Sequence, residues 1–364
     1  MRLPDVHVAR YSFTLQLLEQ VYLPPYKGSA LRGGFGHTLK RLVCYQPAAC
    51  TNHCRLGNDC VYGYLFETAP PQGTEVLRNL TEVTRPFVVE PPLERKEKFE
   101  PGERLDFTVV LVGRGIEYLP YFVLVFQQLG HEGLGRMRGR FMLERVMALG
   151  AGERRGGGAG EQGGRGAGER GSRREEEEEE GETVFDAADG VVRNCELSAG
   201  IAEWEARASV LPSNQLILNL LTPTRLKHEG RWAMQGPPFH VLVKALLGRV
   251  SSLAYFHCGQ RWDTDFRGLI DRAHAVRLAE AHTGWVDWER YSGRQEQRVK
   301  MGGLVGQATY EGDLHDYLPL LALGELVHVG KGTVFGNGQY RIAEAETNAE
   351  AQRRKDAESM RMNT

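Results

Sequence analysis

Apolar and polar residues alternate along Val8-Ala-Arg-Tyr-Ser-Phe-Thr-Leu-Gln-Leu17, a period of two that predicts a strand. Pro24-Pro25 and Gly28 break it. The spacing then changes to that of a helix from Ser29 to about Cys44, with Leu31, Phe35, Leu39, Leu42 and Val43 on one face. Short apolar runs at Tyr62–Glu67, Phe87–Glu90 and Leu105–Val112 read as further strands. A helix over about Glu117–Leu129, a glycine-rich turn and a strand at Arg140–Ala148 close this half.

The same grammar returns after residue 184. A strand is expected at Gln215–Leu221 and a helix at Pro238–Phe256. Strands near Gly284–Tyr291, Gln297–Met301 and Leu304–Tyr310 follow, then a helix over about His315–Glu325. A second glycine-rich turn leads to the strand Gln339–Ala343. Each half thus approaches the βαββαβ order. The expected fold is α+β: two tandem ferredoxin-like domains over residues 1–149 and 184–345, a cysteine-rich insertion at 44–60, a linker over 150–183 and a charged tail over 346–364. The fold alone names no activity.

Composition modifies this picture in one respect. The chain of 364 residues has a formal net charge of −2. Residues 151–182 hold ten acids and six bases, so the remainder carries 37 acids and 39 bases, a net charge of +2. That stretch, with six consecutive glutamates from Glu175 to Glu180, is too rich in Gly, Arg and Glu to bury a core and reads as a disordered tether. The remainder is mildly basic and permits a basic groove. No run of 18 apolar residues and no signal-like N-terminus is evident, so the expectation is a cytoplasmic protein without a membrane span.

The two turns carry the most chemistry. Gly130-His-Glu-Gly-Leu-Gly-Arg-Met-Arg-Gly-Arg-Phe141 contains Gly133, Gly135, Arg136 and Arg138. His328-Val-Gly-Lys-Gly-Thr-Val-Phe-Gly-Asn-Gly-Gln-Tyr340 contains Gly330, Lys331, Gly332, Gly336 and Gly338. Glycines at such spacing let backbone approach backbone, and the interleaved cations suit phosphate. His328 is a further candidate for phosphate contact. Neither turn follows a strand and opens a helix, which excludes a P-loop or dinucleotide fingerprint. In the second half, Arg225 and Lys227 are candidate RNA contacts; in the aromatic and basic segment from Trp285 to Lys300, Trp285 and Trp288 read as core residues, and the face of Arg294, Glu296 and Arg298 is open to solvent or RNA.

The segment Gly330-Lys-Gly-Thr-Val-Phe-Gly-Asn-Gly-Gln-Tyr340 resembles the terminal glycine-rich loop of the CRISPR RAMP endoribonucleases that process repeat RNA, the Cas-six family. Leu221-Thr-Pro-Thr-Arg-Leu-Lys227 resembles the start of that family's C-terminal domain, and Leu31-Arg-Gly-Gly-Phe-Gly-His-Thr-Leu-Lys-Arg-Leu42 resembles its first helix, which adds Arg32 to the RNA contacts. The resemblance implies a CRISPR precursor RNA as substrate and cleavage within each repeat without a metal. The products it implies are a 5′-hydroxyl and a cyclic phosphate or 3′-phosphate. Other CRISPR effector subunits are expected partners.

Cleavage of this kind needs a base for the 2′-hydroxyl and a cation for the developing charge. His37 lies about 200° around the helix from Phe35 at 100° per residue, away from the apolar stripe. Lys40 and Arg41 follow on its own face. Gly33, Gly34 and Gly36 each cost about 1 kcal/mol in a helix, a cost that calls for a close approach. The expected catalytic set is His37 as base, Lys40 or Arg41 as charge stabiliser, and Tyr22 from the two local tyrosines, Tyr22 and Tyr26. The alternative for His37 is a surface histidine on a packed helix.

Cys44, Cys50, Cys54 and Cys60 could hold a structural zinc ion or iron–sulfur cluster, with His53 as a substitute ligand. No cofactor is expected for catalysis. Two other functions compete: a non-catalytic RNA-binding RAMP subunit of an effector complex, and a redox protein centred on the cysteines.

Overall fold

The computed structural model describes residues 1–44, 56–70, 83–150, 181–195, 197–292 and 297–343. The tether over 151–180, Cys50, Cys54, His53, residues 293–296 and the tail lie outside them. The first half contains β1 (Val8–Leu17), β2 (Val21–Tyr22), α1 (Gly28–Val43), α2 (Val61–Phe66), β3 (Phe87–Glu90), β4 (Lys98–Phe99), β5 (Arg104–Val112), α3 (Leu119–Glu132) and β6 (Phe141–Leu149). Then come β7 (Gly181–Asp186) and α4 (Ile201–Ser209). The second half contains β8 (Gln215–Thr224), β9 (Lys227–His228), β10 (Arg231–Trp232), α5 (Phe239–His257), α6 (Phe266–Ala273), β11 (Arg277–Val286), β12 (Glu289–Ser292), β13 (Gln297–Lys300), β14 (Gly303–Glu311), α7 (Leu318–Val327) and β15 (Tyr340–Ile342).

Two antiparallel sheets organise the chain, in the orders β3-β5-β1-β6-β7 and β11-β14-β8-β15. In both, the first long strand of the half lies between the third and the fourth. The inward residues of β1, Tyr11, Phe13, Leu15 and Leu17, pack with Leu31, Phe35 and Leu39 of α1 and Phe122 and Phe126 of α3. This is the core that the period-two and helical patterns foresee. The opposite face is also buried. Val8, Val88, Val110 and Val112 join a second cluster with Leu242, Leu246 and Val250 of α5 and Leu321 of α7. The first sheet is therefore sandwiched between its own helices and the second half.

Several expectations change. Tyr62–Glu67, expected as a strand, forms the helix α2. Its aromatic residues pack at helical spacing, with the Tyr62 and Phe66 rings stacked at 5.2 Å. Leu42 is exposed and Val43 only half-buried, because α1 turns its apolar stripe away from the core at its last turn. Residues 181–186, expected to end the tether and start the second half, instead pair with β6 and extend the first sheet. By length and composition α5 could cross a bilayer, contrary to the reading that no such span exists, but 67% of that window is buried within the protein, as befits a core helix.

Candidate functional site

α1 presents three faces. Leu31, Phe35 and Leu39 point into the core. Gly34 lies against Leu129 and Leu134, and Thr38 bonds Glu132 of α3 at 3.1 Å. Gly36 approaches Phe66 of α2, where a Cβ would meet the ring at 2.6 Å. The ridge left over carries Gly33, His37 and Arg41, all exposed. Space above Gly33 is open, with no atom within 4 Å of a built Cβ. His37 thus stands on the ridge that its helical phase predicts.

The two candidate cations differ. Arg41 is held in an ion pair with Glu132. Burial alone would raise the Glu132 carboxyl, but bonds from Gln128 and Thr38 and the Arg41 charge outweigh it and hold the group below the usual carboxylate range. Lys40 extends over the Tyr62 ring, 5.5 Å from its centroid. Tyr22 sits on β2 beside Phe99 and Lys98 of β4, and its carbonyl accepts a hydrogen bond from the Arg136 amide at 3.0 Å. No hydrogen bond or ring contact joins Tyr22 to His37 among the described residues. Tyr26 is a structural tie: its hydroxyl donates to the Phe335 carbonyl at 2.9 Å and its ring packs on Trp288 at 4.7 Å.

The first glycine turn keeps Arg136 and Arg138 exposed. Gly133 and Gly135 serve the turn itself, since a Cβ on them would meet the Arg138 and Tyr22 carbonyl oxygens at 2.0 and 2.2 Å. The terminal turn divides in two. Gly330, Lys331 and Gly332 form its outer part, where the Lys331 amide bonds the Arg225 carbonyl at 3.2 Å. Arg225 stacks on Trp232 at 4.3 Å, and Lys227 reaches the same ring at 5.3 Å. Arg225 and Lys227 are thus brought together on one indole, and Lys331 is tied to Arg225 through the backbone. The inner part corrects the expectation of RNA contact. Gly336 and Gly338 are buried, and a Cβ on Gly336 would meet Pro91 at 2.4 Å. The close approach that these glycines permit is to protein backbone.

His328 needs the same correction. It is fully buried, with its Nε2 2.8 Å from Glu90 and its Nδ1 3.1 Å from the Asn337 carbonyl. Arg10 lies 3.8 Å from the other Glu90 oxygen. Burial would raise the Glu90 carboxyl, but the His328 bond and charge, with Arg10 and Arg341, hold it below its usual range. Sequence reasoning missed both: Glu90 ends a short apolar strand with no local signal, and Arg10 stands at a polar position of the β1 alternation, which predicts exposure where the structure buries it. Arg32 is a partial correction: it is largely buried between the Phe66 and Phe335 rings, 4.5 and 5.0 Å from their centroids.

Cys44 ends α1 and Cys60 caps α2, both as free thiols. With Cys50 and Cys54 outside the described residues, the four-cysteine site cannot be assembled from them. Among the described residues no group of three His, Cys, Asp or Glu side chains is placed to hold a metal.

A second buried histidine joins the halves. The Tyr64 hydroxyl lies 2.9 Å from His257 Nδ1, and His257 Nε2 lies 2.6 Å from the Thr84 carbonyl. A neutral ring that donates from Nε2 and accepts at Nδ1 satisfies both. Burial, only partly offset by the Thr84 bond and reinforced by Arg249, pushes this imidazole down to about 4. The unfolded chain takes up the proton first, so stability is full above the ordinary histidine value and falls as pH drops from about 6.5 to about 4. The expected loss is on the order of 3 kcal/mol. Chemical denaturation across that range checks it, and H257N should flatten the profile.

Comparison with known proteins fits this arrangement. A family model described as an N-terminal domain (AF_1859_N) matches residues 3–194. The model of the CRISPR-associated endoribonuclease Cas6 matches residues 218–340, which include the whole terminal glycine turn. Over residues 218–340 the chain belongs to the Cas6 family. It is 31% identical over 131 residues to an uncharacterized protein of Archaeoglobus fulgidus, covering 34% of this chain and 43% of that one. A chain of a partial Cas6-RT-Cas1–Cas2 complex shares the fold at a TM-score of 0.54 and 12% identity, over 94% of this chain and 46% of that chain. Thermus thermophilus Cas6 superposes at a TM-score of 0.48 and 14% identity, over 93% and 99% of the two chains. The chain thus spans less than half the length of the first two. α1 and the terminal glycine turn come from the two separately matched segments and meet at Tyr26, Gly28 and Phe335.

Proposed function

We propose that this protein binds CRISPR repeat RNA and cuts precursor transcripts into guide RNAs, using the RNA's own 2′-hydroxyl as nucleophile and no metal ion. Each half is read as a ferredoxin-like unit, β1-α1-β3-β5-α3-β6 and β8-α5-β11-β14-α7-β15, a reading that the two sheet orders support. The observation that carries the function is His37, exposed on α1 with open space at Gly33, on the helix whose first turn seats the terminal glycine turn. His37 takes the 2′-hydroxyl proton as that oxygen attacks the adjacent phosphorus. The bond to the 5′-oxygen breaks, and that oxygen takes up a proton from water. The products are a 2′,3′-cyclic phosphate and a 5′-hydroxyl.

Lys40 is favoured over Arg41 for the charge on the transition state, because Arg41 is committed to Glu132. Tyr22 has a smaller part, as a side chain near the first glycine turn. The exposed Arg136, Arg138 and Lys331, and the pair Arg225 and Lys227 on Trp232, supply phosphate contacts and a stacking surface. A zinc ion or iron–sulfur cluster on the four cysteines would brace the end of α1 and take no part in the reaction. Other CRISPR effector subunits are the proposed protein partners, and the cytoplasm is the proposed setting.

Incubation with the native repeat RNA in excess chelator tests the chemistry. One cut per repeat is expected, leaving a cyclic phosphate. Cleavage that depends on added magnesium overturns the mechanism, and binding without any cut favours the scaffolding subunit.

A further inference from the structure

The hairpin that follows β8 turns at Glu229 and Gly230, both at positive φ (49° and 79°), the backbone of a two-residue type I′ turn. That turn fixes the register, and His228 of β9 stands directly opposite Arg231 of β10. Opposed residues share a face, with their Cβ atoms about 4.5–5.5 Å apart. The next pair, Lys227 and Trp232, leaves from the other face. His228 and Arg231 both line an open cleft of about 570 Å³, together with Glu229, Gln235 and Pro238. That size lies within the ~300–1,000 Å³ of ordinary ligand pockets, so it admits a nucleotide unit. Arg231 is exposed and has no ion pair among the described residues.

Behind His228, two more imidazoles continue a column. The His240 ring of α5 meets His228 edge-on at 5.3 Å, and His274, just after α6, stacks on His240 at 3.8 Å. Lys244 stands one turn along α5 from His240 and is exposed, as is His274. Burial first, and then His274, His228 and Lys244, lower His240; Glu229 opposes them. His240 is thus reluctant to take a proton, and cations outnumber the one acid around it. An anion between Arg231 and His228 reverses that balance, because a nearby negative charge favours the protonated imidazole. A guanidinium beside it supplies a planar fork of donors that fits phosphate. We propose that this cleft seats one backbone phosphate of the bound RNA on Arg231 and His228. Binding then brings a proton into the histidine column. Affinity should rise as pH falls through the histidine range, from about 7.5 to about 5.5, and stay level above it. Lys227 and Trp232 are one cross-strand pair away on the same hairpin, so one strand of RNA can engage both pairs.

The inference rests on the proposed function for its ligand, and its test separates the two. Affinity is measured across salt and pH for a repeat RNA carrying a 2′-deoxy residue at the cut, beside cleavage of the unmodified RNA. R231Q should weaken binding about tenfold and lower the slope of log affinity against log salt by about one, the mark of one lost phosphate contact. The gain in affinity between about pH 7.5 and about 5.5 should be about fivefold larger in wild type than in H240Q. His37 is present in every variant, so its own titration cancels in the comparison. H274Q changes an exposed ring and should blunt the pH response in the same direction, even if H240Q loosens α5. R231Q with the wild-type affinity and salt slope overturns the seat. A pH response unchanged in both histidine variants also overturns it. If the RNA binds with these signatures but is never cut, the proposed cleavage falls and the seat stands. If the RNA is cut once per repeat while R231Q binds it as wild type does, the seat falls and the function stands.

Discussion

H37A should cut repeat RNA about 10²- to 10⁴-fold more slowly than wild type, the range set by losing one positioned proton-transfer group. Affinity for the uncut RNA should hardly change. The split follows from the geometry. His37 is exposed on the ridge of α1 and packs into no core, so its removal leaves the helix anchored by Leu31, Phe35 and Leu39. Its neighbour Arg41 serves as a control. R41A breaks a partly exposed ion pair with Glu132, a loss of about 0–1 kcal/mol, and should leave the cleavage rate within a few-fold of wild type. Single-turnover rates beside filter-binding affinities make the measurement. An unchanged rate in H37A moves the base elsewhere, and a rate that falls only in step with affinity makes His37 a binding residue.

The helical phase of α1 was readable because one stripe of leucine and phenylalanine sets it, and His37 follows from the phase. Arg32 was not readable in the same way. Its environment depends on α2, and the aromatic run Tyr62–Phe66 is too short for periodicity to separate helix from strand. The polar start of β11 was invisible for another reason. From Arg277 to Thr283 its side chains are exposed or half-buried at the sheet edge, so no apolar alternation marks it. The glycines of the terminal turn were read correctly as sites of close approach, and incorrectly as to what approaches. Gly336 meets Pro91 and the Val89 carbonyl, partners some 250 residues away that only the folded chain supplies. The site is thus most legible where a helix fixes geometry locally, and least legible where the two halves meet.

At that meeting, E90A should destabilise the protein by about 3–5 kcal/mol, the usual cost of removing one partner from a buried charged pair. Glu90 ends β3 in the first half, and it is the group that His328 Nε2 and Arg10 both approach. Without it, Arg10 loses its carboxylate in a buried setting, and His328 loses one of two bonds that hold an unusual backbone. His328 has φ 62° and ψ 174°, a region that side-chain-bearing residues rarely adopt and that costs about 1–3 kcal/mol. Its imidazole helps to keep the end of α7, and with it the terminal turn, against the first half, beside the Tyr26–Phe335 bond and the packing at Gly28 and Gly336. H328A should therefore lose a comparable amount. The double variant E90A/H328A should lose clearly less than the sum, since both changes remove the same bond. Urea titrations of the four proteins give the cycle. Strict additivity would mean that the two residues act separately and that the turn is held by its glycine packing alone. With coupling, the cleavage rates of the single variants should fall together with the docking of the turn, even though neither residue touches RNA.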